Sequence, residues 1–589
     1  MRHWKVGTAS VVASIALAGA CGDDGSGPQP CDAVAGTGCA SGNVCVATGP
    51  GGGVCVAACD LVAPRCPSGS VCLPAGTGGA CVPTCNPADG GACGDGWACA
   101  PAGDRGNICR PLCGTGDAGT CPDGEVCQPL DDGRSVCARQ CDPVDERSCP
   151  GDDSCEVRTD GLRACYDPVR LRGRVFDLSD DSSVEGAHVS AADKTGSAAT
   201  DVAVTAADGT YALVVPVLRN ADGTLAEGIF TLRVVAQDFE PFPRGMRVAL
   251  PIDAAAVAVR GTGEWIVRNA TTDVGLIPLP ADRRGLGSIA GAVRVSSGAA
   301  TPGGVLVVVE GGVAGDPPIA WSDRSGAYRV FNVAPGTYEV RGYKALLQLV
   351  PAAVAGLAAG EHRIGVDLVE AAETATATVS GSINIVNPGD CDGTSIVLVP
   401  RSTFDDALKR GEVATGLRAP PPGEEPTIAG AWEIRGVPDG SYAVLAAFEN
   451  DFCVRDPDPG IAGTQIVFIT APDPVTGRSI AIGTSFKVTG ALRIISPGST
   501  QPEEVTGTPT FRWVDDSSEE WYALIVYDAF GAVVWSDDRV PRVTGGNVSV
   551  VYGGPALSPG MYYQFRATSM RARGPISMTE DLLGVFFLP

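Results

Sequence analysis

Cysteine is the side chain best placed to do chemistry in this chain: there are 23, against 3 histidines, in 589 residues. A thiolate can hold a metal, carry an acyl chain or pair into a disulfide, and spacing helps to decide among these roles. Twenty cysteines fall into five groups of four: Cys31, Cys39, Cys45 and Cys55; Cys59, Cys66, Cys72 and Cys81; Cys85, Cys93, Cys99 and Cys109; Cys113, Cys121, Cys127 and Cys137; Cys141, Cys149, Cys155 and Cys165. The spacing is C-x7-C-x5-C-x9-C-x3, shortened only in the second group, and successive groups start 28, 26, 28 and 28 residues apart. So regular a period marks a repeat array. Each x5 gap holds a turn glycine (Gly42, Gly69, Gly96, Gly124, Gly151), and the groups carry almost no aliphatic core, so cross-links must hold them. Zinc is the competing use of four cysteines, but the C-x2-C knuckles typical of zinc sites are missing. Disulfides are therefore expected. Their pairing stays open, with three possibilities inside each group and others between groups. Cys391 and Cys453 each follow an expected strand, and a bridge between them would close a loop of about 60 residues, worth about 4 kcal/mol. Two free thiols are the alternative there.

The remaining cysteine, Cys21, ends an export signal. Arg2 and Lys5 form a positive start, and the mostly apolar run from Val6 to Ala18 is too short to cross a bilayer. It closes on Leu17-Ala18-Gly19-Ala20-Cys21, which resembles the bacterial lipobox, with Ala18 where leucine is commoner. The resemblance implies cleavage before Cys21, diacylation of its thiol and usually acylation of the new N-terminus, and several acyl chains anchor stably where one does not. An ordinary signal-peptidase cut after Ala20, leaving Cys21 free, is the alternative. Gly22, rather than Asp, follows the cysteine, which in such lipoproteins points to the outer membrane, either periplasmic or surface-exposed. Export to an oxidising compartment also favours disulfides over zinc. Residues 1–20 thus read as a signal peptide and 21–30 as a flexible tether. The later apolar stretch from Ala345 to Gly360 is short and broken by Gln348 and Pro351, so it is not a membrane span. The array itself resembles the short Cys-rich repeats of bacterial, myxobacterial-type surface lipoproteins and of some extracellular animal modules, which bind or space rather than catalyse.

Other chemistry is thin. His188 and His362 lie in no HxxE or HExxH setting, no G-x-S-x-G elbow occurs, and no Gly-Lys dipeptide exists to make a P-loop. Gly285-Leu286-Gly287 with Gly291 misses dinucleotide spacing and reads as turn chemistry. Acidic loops at Asp177/Asp180/Asp181 and Asp456/Asp458 could offer oxygen ligands to calcium, but without EF-hand spacing they read as solvated turns. Trp321 and Trp432 could stack on a sugar if exposed and read otherwise as packing. A formal charge of -25 argues against nucleic acid and against electrostatic docking on anionic lipid. The expectation is no enzyme, no cofactor and no metal.

The elements that carry these residues are strands. Gly 78 and Pro 45 make up about a fifth of the chain, which disfavours long helices. After Cys165 apolar residues alternate with period two between turns. One signature recurs. An opening strand contains Leu171/Gly173/Val175, then Ile289/Gly291/Val293, then Val379/Gly381/Ile383; a turn with an aromatic follows at Asp208–Leu213, Ser325–Val330 and Gly430–Ile434. The later copies continue as Val333–Val340 and Val437–Val444, while the first is interrupted around Leu218 to Gly228. Asp-Gly or Pro-Gly sets the hairpin, and the aromatic covers one end of a core. This set resembles the carboxypeptidase regulatory-like family, with its transthyretin-like prealbumin sandwich, and the CnaB pilin modules. CnaB modules often carry a Lys–Asn isopeptide bond, but Lys194, Lys344, Lys409 and Lys487 are not in the opening strands, so none is expected. From about Pro497, Trp513, Tyr522/Leu524/Val526 and Leu557–Tyr563 resemble a fibronectin type III or immunoglobulin-like sandwich, in which Trp513 and Tyr563 pack the core.

The reading is all-β: a disulfide-stapled Cys-rich array at 31–165, prealbumin-like modules at 168–280, 286–370 and 375–490, and a fibronectin III/Ig-like domain at 495–589. The function expected is a non-enzymatic lipid-anchored envelope protein that presents its sandwiches for binding or adhesion, with carbohydrate or a surface protein as partner. Carbohydrate is implied only by fold analogy. A surface spacer without a specific ligand is the alternative.

Overall fold

The computed structural model describes residues 30–589 apart from segments at 32–36, 50–51, 61–64, 76–77, 87–92, 94–96, 102–106, 114–120, 122–124, 130–133, 142–148, 150–151, 195, 221, 244–248, 299, 313–316, 407–410, 422–423, 425, 447–451, 456–465, 530–531 and 581–582. Cys21, the signal peptide and most of the tether lie outside the described residues, as do Asp456, Asp458 and Lys409. The fold is nearly all β. It divides into two compact units, one reaching to residue 168 and including 216–227, the other made of 169–215 and 228–589.

The first unit is a run of small hairpins. In each repeat the third and fourth cysteines sit opposite one another on paired strands, for example Cys45 against Cys55 on Asn43–Gly49 and Gly52–Cys59, and Cys99 against Cys109 on Trp97–Pro101 and Asn107–Pro111. The first cysteine bonds the third and the second bonds the fourth in all five repeats, from Cys31–Cys45 and Cys39–Cys55 to Cys141–Cys155 and Cys149–Cys165. The two bridges of a repeat lie against each other, with three of their sulfurs within 4.8 Å. Gly42 and Gly69 turn into their hairpins at φ +86° and +81°, where a Cβ would be strained. Backbone bonds close each repeat, as from Cys85 N to Asn107 O and from Cys113 N to Ser135 O, both 2.9 Å, and arginines tie neighbours together, Arg110 Nη1 donating to Cys137 O at 3.3 Å and Arg158 Nη1 to Cys127 O at 3.1 Å. The apolar contribution is small: one cluster holds Ala98, Ala100 and Val136, another Val126, Ala164 and Tyr166.

A short hairpin, Leu218–Arg219 with Leu225–Glu227, also belongs to this unit, although in sequence it interrupts the first sandwich. Thr159 N donates to Arg219 O at 2.8 Å. The Arg219 guanidinium forms an ion pair with Glu156, both side chains 1% exposed, and donates to Asp167 O at 2.8 Å and Gly223 O at 3.2 Å. It also lies 5.0 Å from the centre of the Tyr166 ring. The interruption read from sequence is thus a docking element for the fifth repeat.

The second unit contains three sandwiches of one topology. In each, a long opening strand (Val169–Asp177, Gly287–Arg294, Ala377–Val386) pairs antiparallel with the strand after the aromatic turn and parallel with closing strands near the module's end. A four-stranded antiparallel sheet completes each one. The signature has a steric basis. A Cβ on Gly291 would come within 1.8 Å of Val366 O, and one on Gly173 within 1.9 Å of Thr272 O. Tyr211 and Tyr328 lie over these glycines and donate their hydroxyls to the same two carbonyls. Trp432 covers Gly381 in the same way. A fourth sandwich follows, with Trp513 fully buried, Tyr563 at 3% exposure, and the Tyr563 hydroxyl accepting from Ser558 N at 2.8 Å.

These sandwiches are joined rather than loosely strung. Asn332, at φ +57°, accepts from Asp238 N at 2.8 Å and donates to Ala236 O and Phe239 O at 2.9 Å each, linking the first and second. Ala345 N donates to Thr415 O and Leu346 N to Gly436 O, linking the second and third, and Leu492 N to Met578 O reaches into the fourth. The second and third share a core. On strand Leu306–Glu310, Val307 and Val309 face the second sandwich's own interior, with Ile289 and Val330. Leu306 and Val308 face away into a cluster with Tyr343, Ile396, Leu398 and Tyr442. Cys391–Cys453 is bonded at the edge of that cluster.

Candidate functional site

Among the described residues, those singled out from sequence do not converge on a reaction centre. His188 packs edge-on to Phe331 at 4.9 Å, and burial pulls its pKa down to about 4, so it stays neutral. The His362 Nδ1 lies 2.9 Å from Ser288 Oγ, but these two residues are register partners on parallel strands. Ser288 is 1% exposed and Arg329 Nη1 stands 3.4 Å from its hydroxyl. A nucleophile needs access that this serine lacks. Asp177 accepts from Ser179, Asp180 from Ser182, and Asp181 pairs with Arg174, so the acidic loop spends its carboxylates on its own turns and strand. Lys344, drawn down to about 8 by burial, donates to Thr301 O, Thr301 Oγ1 and Gly303 O at 2.7–2.9 Å. Trp321 and Trp432 are 7% and 4% exposed, too enclosed to serve as a platform; Trp321 takes the Arg233 guanidinium 5.0 Å from its ring centre instead.

A cavity lies elsewhere, where the second and third sandwiches meet. It is a cleft of about 910 Å³. One wall is the outer face of Leu306–Glu310 and Gly336–Tyr343; the other is the 3-10 turn Arg401–Thr403 with the starts of Gly440–Ala446 and the end of Val467–Ala471. Glu310 spans the joint, accepting from Tyr343 Oη and Ser402 Oγ, each at 2.7 Å, with Arg341 Nε 3.3 Å away. Burial, with Glu310 beside it, pushes the Tyr343 phenol far up, so it remains a donor. Arg401 pairs with Asp406 at 2.9 Å, and Asp439 with Arg478 at 2.5 Å. Ser441 and Thr470 present exposed hydroxyls 3.2 Å apart. At the rim the Arg401 guanidinium lies 4.5 Å from the Phe468 ring centre, and Phe468 is 47% exposed.

Among the described residues the cleft lining includes no cysteine, histidine or lysine, and its half-buried carboxylate hub, Glu310, is committed to Tyr343 beside it and to Ser402 across the joint. What it offers is recognition: planar charged pairs, hydroxyls and an aromatic edge. Sequence reasoning missed this site. The signal was the run Val305–Val309, five consecutive apolar residues ending in Glu310, which breaks the alternation of a sheet with one wet face.

Compared with known proteins, the chain matches no family and no curated protein. Solved structures with some likeness include the TIE protein of Bacillus anthracis, at 10% identity, TM-score 0.13, covering 69% of this chain and 68% of that one. A DUF3823 family protein from Bacteroides ovatus is 12% identical, TM-score 0.17, over 36% of this chain and 100% of that one. The major pilin subunit of Bacillus cereus is 10% identical, TM-score 0.14, over 54% and 99%. TM-scores this low establish no shared architecture across the chain.

Proposed function

We propose that this chain is a non-enzymatic, lipid-anchored protein of the cell envelope, held at the outer membrane through Cys21, whose joined sandwiches present a binding face, with carbohydrate as the ligand class. The observation that carries the binding reading is the open polar cleft at the joint of the second and third sandwiches, lined by recognition groups rather than by a nucleophile and base. The lipobox-like Leu17–Cys21 and the stapled repeats support an exported, anchored protein.

Two measurements test it. Cys21→Ser should abolish acyl labelling of the protein and leave the precursor unprocessed; label that persists in the variant overturns the anchor. The soluble 22–589 fragment should bind purified envelope fractions and glycan arrays reproducibly, and silence on both overturns the adhesive role. The second reading, a rigid surface spacer, is favoured by the core shared between sandwiches and the bonded joints at Asn332 and Leu346.

A further inference from the structure

We infer that the cleft between the second and third sandwiches takes a short, neutral oligosaccharide and turns away charged glycans. This inference rests on the binding reading above and narrows it to one site and one ligand chemistry. Among the described residues the lining carries four carboxylates, Glu310, Asp405, Asp406 and Asp439, against two guanidiniums, Arg341 and Arg401. An anionic glycan would bring its charge beside this excess of carboxylates, where the cations are already spent on Glu310 and Asp406. A cationic one would meet Glu310, Asp406 and Asp439 already paired with Arg341, Arg401 and Arg478, and Asp405 engaged as well, so three of the four carboxylates could be won only by breaking an ion pair.

An apolar ligand fares no better. It would strip water from three ion pairs and offer no hydrogen bonds in return. A neutral polyol does the reverse. Its vicinal hydroxyls both donate and accept, so one ring can bridge a carboxylate and the guanidinium paired with it, through charge-assisted bonds that leave the pair intact. Ser441 and Thr470, exposed and with hydroxyls bonded among the described residues to one another, have donor and acceptor capacity to spare. Phe468 shares a strand face with Thr470, two residues away, and its half-exposed ring can take the C–H face of a sugar at the mouth. A volume of about 910 Å³ lies at the upper end of the range for small-molecule sites, which suits several sugar units better than one.

The test is calorimetry on the 22–589 protein with four neutral hexasaccharides (gluco-hexamers of β-1,4, β-1,3 and α-1,4 linkage, and a mannohexaose), beside hexagalacturonate and a chitosan hexamer. At least one neutral hexamer should bind and both charged ones should not. Ser441→Arg, which fills the cleft from an exposed position, should weaken that binding at least tenfold, and Phe468→Ala should weaken it several-fold, both with unchanged melting temperature. Neutral binding that survives Ser441→Arg overturns the site. Binding only to a charged hexamer, or to none, overturns the ligand class. If the hexamers fail while 22–589 still binds envelope fractions, the narrower inference falls and the adhesive reading stands; if both fail, both fall.

Discussion

Removing the Arg219 side chain should open the fifth repeat. Arg219 and Glu156 are each 1% exposed, and the guanidinium also satisfies Asp167 O and Gly223 O and covers Tyr166. In Arg219→Ala, Glu156 would keep only the Ser154 hydroxyl, at 2.7 Å, as its partner in a closed interior. Breaking a buried pair by deleting one member costs roughly 3–5 kcal/mol, mostly the penalty of the stranded charge. Replacing both members with apolar residues of similar size costs far less, so the double variant Arg219→Met/Glu156→Leu should recover much of the loss. The disulfides Cys141–Cys155 and Cys149–Cys165 survive either change, so the effect is local opening rather than global unfolding. Amide hydrogen exchange reads it directly. At about 1.4 kcal/mol per decade, exchange at Thr159, whose N–H bonds Arg219 O, and along Ser154–Val157 should rise roughly a hundredfold or more in the single variant. The double variant should return most of the way. Exchange within a few-fold of the parent in Arg219→Ala would refute the reasoning, as would a double variant worse than the single one.

Three further outcomes are expected. Glu370 accepts from Ser296 and Ser297, and hydrogen bonds from Ser297 and Ser296 pull its pKa down to about 2 from an ordinary value near 4.5. A depressed folded-state carboxyl stabilises above its unfolded value and loses that contribution as pH falls through the folded one, so the melting-temperature gap between parent and Glu370→Gln should be constant above about pH 4.5 and close between there and about pH 2; a gap unchanged at pH 2 contradicts it. Gly291→Ala places a Cβ 1.8 Å from Val366 O and should destabilise the second sandwich by roughly 1–3 kcal/mol in denaturant titration; a stability equal to the parent's would show that the backbone yields freely there. Cys391→Ala/Cys453→Ala opens a link spanning 62 residues and should cost up to about 4 kcal/mol in the third sandwich, read as an earlier denaturation midpoint; an unshifted midpoint argues against the loop-entropy account.

Much of this architecture is local and was open to a reader of the chain alone. The cysteine period declares the repeats, because a unit with almost no aliphatic core can be held only by cross-links. The Gly291, Tyr328 and turn signature declares the sandwiches, because hairpin chemistry acts between near neighbours. Pairing within each repeat was not legible: three connectivities share one spacing, the hairpin sets the third cysteine opposite the fourth and sends each to an earlier partner, and the placement of the first two cysteines against it decides between the two connectivities left. The hairpin at 218–227 read as an interruption, since nothing local says that Arg219 will bury itself against Glu156, 63 residues upstream. The cleft lies furthest from the sequence. Glu310 and Ser402 stand 92 residues apart and meet because strand Leu306–Glu310 is covered on both faces, one by its own sandwich and one by the next. Alternation along a strand reports one buried face and one wet face; where both are buried the pattern becomes a plain apolar run, and what covers the second face is decided by tertiary packing alone.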